Sequence, residues 1–295
     1  MANPHFGNLG DVWKHIVLSE SIARERPRHY WETHAGSASY SLSHSLARDY
    51  GVYYLLENGS RTSHVARSTY YEELTRFQSD QSEKNAPAYP GSALLAMRIL
   101  RDSASYVLCD VDERSARSLT DAAGGLGLGK HVQLAVQDGL AAVRDASHNF
   151  KGEPADVLVH IDPFDPCSET QPGLSALSLA ADLGASGFKL ILWYGYDSPA
   201  ERALPWAPLA TRGGSQWCGD LIIRSNLNGG SPVAMSDIGH LIGCGVVATN
   251  LRDSTTAALG SLGNDLVSLY EESLLPQTDT PGALGFLELA TAPVG

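Results

Sequence analysis

The chain has 295 residues, of which 43% are hydrophobic and 18% are charged, so it can bury a large core and is neither disordered nor fibrous. Its net charge of −12 is uneven, because residues 1–151 carry 16 Lys and Arg against 17 Asp and Glu, whereas residues 152–295 carry 5 against 16. Phosphate contacts supply most of the affinity for nucleic acids, so this balance counts against a polyanionic partner.

Membrane and disulfide features are missing from the sequence. No apolar run reaches the roughly 18 to 20 residues that span a bilayer, and the first ten residues lack the apolar stretch of a signal peptide. We therefore expect a soluble, cytoplasmic protein without a membrane partner. The cysteines (Cys109, Cys167, Cys218 and Cys244) stand far apart without CxxC spacing, which predicts buried free thiols and no metal site.

Apolar runs rich in β-branched and aromatic residues predict the strands of one sheet. They are His29–Thr33, Ser105–Asp110, His131–Val136, Asp156–Ile161, Phe188–Tyr194, Gly219–Arg224 and Gly245–Thr249. Their hydrophobicity is continuous rather than alternating, which is typical of strands covered on both faces. Helix-compatible stretches lie between several of them, at Glu113–Ala123, Leu140–Ala146 and Leu174–Leu183. This alternation predicts an α/β fold, a Rossmann-like, doubly wound and mostly parallel sheet.

Residues 40–88 interrupt the alternation after the first strand. Their aromatic residues stand at helical spacings among polar ones, and loops of this length are rare in compact domains. We therefore predict a small helical insertion subdomain over residues 40–88, with 1–39 and 89–295 forming the main domain. We expect its aromatic side chains to form a core of their own, and the tail after Pro276 to lie over the surface.

Polar residues follow the predicted strands where a doubly wound sheet binds its ligands, at the carboxyl ends. Thr33–Gly36 ends the first strand, and its glycine lets backbone approach a ligand closely. Asp110 ends the second, where a carboxylate can bind a ribose diol, and Asp138 follows the third, where it suits an adenine edge. Asp162 ends the fourth. Each alone can be a turn or a helix cap, but together they predict a bound adenosyl group.

These segments resemble the RlmJ family of large-subunit ribosomal RNA adenine-N6 methyltransferases, which have a class I S-adenosylmethionine (SAM) fold with a helical insertion. The resemblance spans nearly the whole chain. The matching segments are His5-Phe6-Gly7-Asn8, Asp11-Val12-Trp13-Lys14-His15, Thr33-His34-Ala35-Gly36, Tyr89-Pro90-Gly91-Ser92, Asp138-Gly139, Asp162-Pro163 and Leu192-Trp193-Tyr194.

The resemblance implies a set of SAM contacts. They are Lys14, His15, His34, Ser92, Asp110, Asp138, Gly139 and Asp162. Asp110 stands where the family has Glu and keeps the carboxylate for the ribose hydroxyls. For His15 and His34 the alternative role is that of a core or capping histidine, although an imidazolium or Lys14 can meet the carboxylate of a bound amino acid.

The acceptor motif departs from the family. There the fourth strand ends in Asp-Pro-Pro-Tyr, whose acid holds the target amine and whose ring stacks on the flipped base. Here Phe164 fills the second proline position and Asp165 the tyrosine position, and an acid cannot stack on adenine. The family's N-terminal substrate-contacting tyrosine has no counterpart before His5. We therefore expect an enzyme diverted to small-molecule substrates, with nucleic acid an improbable partner.

One such reaction needs no second substrate. The α-amine of SAM can attack its own Cγ and release methylthioadenosine, which gives azetidine-2-carboxylic acid, as in the azetidine synthases of natural-product pathways. We predict Asp162, Trp193 and Tyr194 as catalytic residues, with Phe164, Asp165 and Tyr196 lining the pocket. For the aromatic residues, core packing at the strand ends is the alternative.

Three other functions stay open. They are ribosomal RNA adenine-N6 methylation, methylation of a small metabolite, and a catalytically inactive SAM-binding or docking protein. The sequence leaves the acceptor, the oligomeric state and the role of the insertion undetermined.

Overall fold

The structure is a computed structural model that describes residues 6–82, 87–205, 209, 215–223, 243–271 and 284–291. The strands are β1 (His29–Glu32), β2 (Ser39–Ser41), β3 (Ala88–Pro90), β4 (Ser105–Cys109), β5 (Val132–Ala135), β6 (Val157–Ile161), β7 (Glu169–Gln171), β8 (Leu174–Ser175), β9 (Lys189–Tyr196), β10 (Gln216–Ile223), β11 (Gly243–Thr249) and β12 (Leu284–Thr291). The helices are α1 (Leu9–Glu25), α2 (Leu46–Arg48), α3 (Tyr54–Asn58), α4 (Ser63–Ala66), α5 (Thr69–Ser82), α6 (Ser92–Leu100), α7 (Glu113–Gly125), α8 (Gly139–Asn149), α9 (Ala176–Ala185), α10 (Pro199–Ala203) and α11 (Asp253–Glu271).

An eight-stranded sheet organises the molecule, in the order β12-β10-β11-β9-β6-β1-β4-β5. The strands from β9 to β5 in this order pair in parallel, whereas β11, β10 and β12 add antiparallel pairings at the other side. Since the order runs outward from β1 in both directions, the topology switches beside β1. The carboxyl ends of β5, β4, β1, β6 and β9 therefore share one edge of the sheet.

Helices cover both faces of the sheet. Side chains from α1, α6, α7 and α11 form one hydrophobic core on one face, and side chains from α8 and α9 form a second core on the other. Helix α1 is buried along nearly its whole length and is capped by Asn8, whose side chain accepts a hydrogen bond from the Asp11 backbone N–H. It packs between the sheet and the helices α5, α6 and α11.

The predicted fold class is confirmed in its main features. Each predicted strand and helix is present with small shifts at its ends, except that Arg224, the predicted end of one strand, lies outside the described residues. Helices α2 to α5 fall inside the predicted insertion. The short antiparallel pair of β2 with β3 closes the base of that insertion. No helix among the described residues is long and apolar enough to cross a membrane.

Two expectations about packing are wrong. Tyr70 and Phe77 of the insertion are buried in the same core as α1 and the sheet, because α5 packs directly on α1, so the insertion has no core of its own. The tail after Pro276 was expected to lie over the surface, but its described residues, Leu284–Thr291, pair with β10 as the edge strand β12, and the rest of the tail lies outside the described residues. Cys109, Cys218 and Cys244 are buried free thiols as predicted, whereas Cys167 is exposed.

Candidate functional site

The shared carboxyl edge of the parallel strands gathers the predicted site residues. Large apolar side chains are exposed just beyond three of the parallel strands, the neighbours β4 and β5 and, on the other side of β1, β6: Val111 (75%) after β4, Val136 (50%) after β5 and Phe164 (85%) after β6. Exposing apolar surface at several strand ends along one edge costs free energy unless a ligand or a partner covers it. The arrangement is typical of an edge that binds a partly apolar ligand.

An ion-paired lysine lies at the centre of this edge. The Lys14 ammonium donates to Asp162 Oδ2 at 2.7 Å and lies 2.8 Å from Asp11 Oδ1, and its side chain is only 10% exposed. Lys14 comes from the first turns of α1, whereas Asp162 follows β6. The same ammonium lies 5.5 Å from the centre of the Trp193 ring. A cation is therefore held beside an aromatic face and two carboxylates.

Protonation of this cluster follows from its burial and its charges. Burial opposes the charged form of Lys14, but the two neighbouring carboxylates outweigh it and raise the pKa of the ammonium above its ordinary value. Burial likewise opposes ionisation of Asp162, yet Lys14 and then His160 hold the pKa of that carboxyl below its usual range. Asp162 is therefore an ionised hydrogen-bond acceptor at neutral pH and only a weak base.

Asp110 is fixed by backbone groups on both sides. Its Oδ2 accepts from the Gly36 N–H at 2.8 Å and its Oδ1 accepts from the Asp112 N–H at 2.8 Å. Gly36 has a φ of +58°, a conformation that other residues adopt only with strain. A carboxylate has about four acceptor positions, so Asp110 can still accept from a diol.

Asp138 and Gly139 start helix α8. The Asp138 side chain caps the helix by accepting from the Ala141 N–H at 2.8 Å. A Cβ at Gly139 would collide with the Thr33 carbonyl, 2.6 Å from its carbon, so glycine allows α8 to approach the end of β1 closely. Both residues have local structural roles, and a ligand contact at either stays a prediction.

The predicted contacts His15, His34 and Ser92 each have a hydrogen-bond partner within the protein. His15 is buried, with Nδ1 2.6 Å from the Tyr89 hydroxyl, and burial holds its pKa well below the ordinary value. His34 hydrogen-bonds the Thr33 hydroxyl at 2.7 Å, and burial lowers its pKa as well, although Asp162 and Asp110 act in the opposite direction. Ser92 donates to Glu32 Oε1 at 2.5 Å. Their roles in ligand binding stay predictions.

The predicted aromatic residues of β9 do not all lie on one face of the sheet. Trp193 packs with the core on the α1 face, whereas Tyr194 and Tyr196 are buried in the core on the opposite face. The Tyr194 hydroxyl donates to Asp220 Oδ1 at 2.6 Å, and the Tyr196 hydroxyl donates to the Leu221 carbonyl at 3.2 Å. Of these three aromatic side chains, only Trp193 lies beside Lys14.

The loop of residues 162–168 after β6, which we call the acceptor loop, exposes Phe164 and Asp165. Asp165 accepts hydrogen bonds from the Ser168 hydroxyl and the Cys167 N–H, and these bonds hold its pKa below the ordinary value. Its neighbour Phe164 is exposed. A cavity of about 310 Å³ between α8 and α9 contains none of the predicted site residues.

Sequence inspection missed a buried pair behind the strand ends. Glu32 and His160 are fully buried partners in adjacent strands, with His160 Nδ1 2.8 Å from Glu32 Oε1. Glu32 also accepts from the Tyr30 and Ser92 hydroxyls. The sequence signal that could have indicated this pair is the presence of an ionisable residue, Glu32 or His160, inside each of two predicted buried strands. Among the described residues, no group of His, Cys, Asp and Glu has the arrangement of a metal site.

Comparisons with known proteins agree with the fold. No protein-family model and no curated protein matches the chain. Among solved structures it is similar to LPL1258 from Legionella pneumophila, described under the family model DUF519, with 18% identity over 97% of this chain and 98% of that chain and a TM-score of 0.69. At this identity the likeness shows a shared fold.

Two further solved structures are more distant matches. The O-methyltransferase TomG from Streptomyces achromogenes, in complex with SAM, is 12% identical over 80% of this chain and 78% of that chain, with a TM-score of 0.40. Cofactor-bound Rv0187 from MTB is 12% identical over 81% and 80%, also with a TM-score of 0.40. The strand order and the full-length likeness establish a Rossmann-like α/β fold with a mostly parallel sheet and a helical insertion.

Proposed function

We propose that the chain is a SAM-dependent transferase that methylates the amino group of a small molecule. The observation that carries this proposal is the cluster of Asp11, Lys14 and Asp162, which holds two carboxylates and one ammonium beside the Trp193 ring. Its net charge of about −1 favours a cationic ligand over an anionic one. A sulfonium and an amine that becomes charged on methylation are both such ligands.

The strand edge fits SAM. Asp110 keeps acceptor positions for ribose hydroxyls, Gly36 allows close backbone approach, and Val111 and Val136 offer apolar faces for an adenine ring. The resemblance to the RlmJ family supports the same set of contacts, including His15, His34, Ser92 and Asp138. When bound there, SAM supplies an electrophilic methyl group. A third N–H of Lys14 is available for its carboxylate, because an ammonium has three donors.

The chain's own residues then act on the acceptor amine. Asp162 accepts a hydrogen bond from an amine N–H and so aims the nitrogen lone pair, a role that its lowered pKa suits better than proton abstraction. Trp193 provides an aromatic face beside the cation. Phe164 is exposed beside Asp162 and can cover a flat or apolar acceptor.

Cyclisation of SAM to azetidine-2-carboxylic acid is the second candidate. It is favoured by the Lys14 ammonium over Trp193, since this ring already faces a cation next to Asp162. In this reaction the substrate's α-amine forms a bond to its own Cγ, the C–S bond breaks, methylthioadenosine leaves and the amine loses a proton. The burial of Tyr194 and Tyr196 on the other face removes two walls of the closed pocket that this reaction needs.

Ribosomal RNA methylation is the least favoured function. An ionised Asp165 beside Phe164 and the acidic second part of the chain would repel a phosphate backbone. The resemblance to the RlmJ family supports this function, and the incubation experiment described next includes ribosomal RNA in order to test it.

Incubation of the purified protein with SAM separates the candidates. The arms are SAM alone, SAM with a pool of small amines, and SAM with ribosomal RNA, each analysed by mass spectrometry. We expect S-adenosylhomocysteine with the amines, and about 10- to 100-fold slower turnover in Asp162→Asn, which loses a charge-assisted hydrogen bond. Methylthioadenosine from SAM alone would favour cyclisation. Intact SAM in every arm would refute SAM-dependent catalysis.

A further inference from the structure

The chain immediately before α1 is held by contacts on both sides. This N-terminal segment, residues 6–8, includes Gly7 with a φ of +75°, which only glycine adopts easily. The Gly7 N–H donates to Asp11 Oδ2 at 2.7 Å, and the Asn8 side chain caps α1. The segment is therefore tied to the first turn of α1.

The insertion holds the same segment from the opposite side. The Val52 N–H donates to the Gly7 carbonyl at 2.9 Å. Gly51 breaks its helical turn with φ −91° and ψ −110°, and a Cβ there would collide with the Gly7 carbonyl and lie 2.6 Å from the Asn8 carbonyl carbon. Backbone thus packs on backbone at a place where the insertion has no room for a side chain.

A second contact of the insertion lies next to the first. Arg48 Nε donates to the Phe6 carbonyl at 3.2 Å, and the Arg48 guanidinium lies 4.2 Å from the centre of the Phe6 ring. The Phe6 ring also stacks on Tyr40, with 4.8 Å between the ring centres. Residues of the insertion and its base thus surround the N-terminal segment.

Asp11 connects this segment to the candidate site. Its Oδ2 holds the Gly7 N–H, while its Oδ1 lies 2.8 Å from Lys14, which is itself bonded to Asp162. One carboxylate therefore links the backbone that the insertion holds to the cation that faces Asp162. A shift of Gly7 would break its hydrogen bond to Asp11 or move the Asp11 carboxylate relative to Lys14.

We propose that the helical insertion is a positioning element of the site: through Gly51 it fixes the N-terminal segment, and through Asp11 this segment holds Lys14 against Asp162. Gly51 and Asp11 are accordingly positioning residues and do not touch the reacting atoms. The consequence for catalysis rests on the function proposed above, because Lys14 keeps Asp162 ionised as an acceptor. The contact chain itself does not depend on that function.

Chemical labelling of lysines tests the contact chain without any activity. The purified full-length protein is treated briefly with an amine-acylating reagent, and modification at each lysine is quantified by mass spectrometry. Lys14 is nearly buried and ion-paired, so it should be strongly protected, while the exposed Lys130 and Lys151 serve as internal references. Lys189, 16% exposed and paired with Glu25 at 3.0 Å, reports on opening of the fold elsewhere.

We expect Gly51→Ala to raise Lys14 acylation about tenfold or more relative to Lys130, with Lys189 unchanged, because the added Cβ displaces the segment locally. The matched control is Gly124→Ala, whose Cβ would meet nothing within 4 Å and which should leave both lysines protected. Asp11→Asn should raise Lys14 acylation in the same way, and its combination with Gly51→Ala should add little, since both act through one link.

A variant that opens the fold as a whole would expose Lys14 and Lys189 together. In that event Arg48→Ala is the deciding variant, because it removes the contact of the insertion with Phe6 without steric strain. It should raise Lys14 acylation by a smaller factor and leave Lys189 protected. Unchanged Lys14 protection in folded Gly51→Ala, or in Arg48→Ala where the former unfolds, overturns the proposal.

Turnover provides the functional readout. In Gly51→Ala the acid limb of the pH–rate profile should move to higher pH, because Asp162 loses the cation that lowers its pKa. A change in labelling without any SAM turnover in the wild type would refute the proposed function and leave the positioning role standing. Normal turnover with an unmoved acid limb, despite exposed Lys14, would refute the positioning role and leave the function standing.

Discussion

Lys14 is a buried cation whose two carboxylate partners come from different parts of the chain. A buried ion pair adds little net stability compared with apolar packing, but removing one partner leaves uncompensated charge. Here the loss of the ammonium would leave Asp11 and Asp162 facing each other with little water around them. Replacing Lys14 should therefore lower the free energy of unfolding more than replacing a surface lysine does.

We expect Lys14→Met to lower the free energy of unfolding by about 3 to 5 kcal/mol at pH 7. The pKa of Asp162 is lowered in the folded wild type, so its contribution is present above the ordinary carboxyl pKa and is lost as pH falls through the folded value. In Lys14→Met burial acts on Asp162 without the cation, so Asp162 takes up a proton at higher pH than in the wild type, and the difference between the two proteins should shrink near pH 4. Urea unfolding at both pH values measures it.

Lys130→Met is the matched control, because Lys130 is exposed and its removal should change stability by only about 0.5 kcal/mol. A loss in Lys14→Met that is equally large at pH 7 and pH 4 would contradict the assignment of the effect to the two carboxylates.

Asp110 provides a second test at the scale of one residue. If its free acceptor positions bind the ribose of SAM, Asp110→Ala should weaken SAM binding by about 10- to 100-fold, as expected for lost charge-assisted hydrogen bonds. Isothermal calorimetry measures the affinity, and Asp110→Asn, which keeps the shape and one acceptor, should lose less. Equal affinity in wild type and Asp110→Ala would remove the ribose assignment.

Among the elements, the pairing of β9 with β11 depends on glycine. Tyr194 and Tyr196 project over Gly245 and Gly243 of the neighbouring strand, and a Cβ at Gly245 would collide with Asp220 and crowd the Tyr194 ring. Asp220 is fully buried and also accepts from Arg202 Nε at 2.6 Å, which ties α10 to the sheet. The glycines thus make room for a buried polar cluster.

Gly245→Ala should therefore destabilise the fold by about 1 to 3 kcal/mol through overpacking. Gly124→Ala in α7 meets no neighbour and should be neutral or slightly stabilising, since alanine favours a helix. Urea denaturation of both variants measures the contrast. If the two alanine variants are equally stable, the strands accommodate the Cβ and the cluster is looser than its distances indicate.

Strands and strand-end acids could be predicted from the sequence, because continuous hydrophobicity marks buried strands and Asp110 and Asp162 directly follow them. The face that each aromatic side chain occupies could be predicted only in part. Successive side chains in a strand point to opposite faces, so Trp193 and Tyr194 cannot line one pocket, but which of them faces α1 depends on packing. The Glu32–His160 pair depends on the register of two strands far apart in sequence.

Helix α1 shows a further limit of sequence patterns. It is buried on almost every side because the sheet and the insertion cover it, so its sequence lacks the one-sided periodicity of a surface helix. Its position between these two layers brings Lys14 to Asp162, a contact across 148 residues of sequence that no local pattern contains.

For the whole molecule, the distribution of charge bears on the choice of substrate. The net charge of −12 belongs almost entirely to residues 152–295, which also contain β6 and its acceptor loop. Binding of a nucleic acid gains free energy by releasing counterions from phosphates, and this gain requires basic side chains near the site. At the acceptor loop the ionised Asp165 opposes it.

We therefore expect ribosomal RNA fragments to bind no more tightly than about 10⁻⁴ to 10⁻⁶ M at physiological salt, the range of non-specific complexes. Neutralising the acidic loop with Asp165→Asn should change this affinity only slightly, since the substitution removes one negative charge and adds no basic contact to a phosphate. Fluorescence anisotropy at two salt concentrations measures both the affinity and the number of phosphates neutralised. Sub-micromolar binding with a steep salt dependence would restore RNA as the substrate, because such binding requires basic contacts that the overall charge conceals.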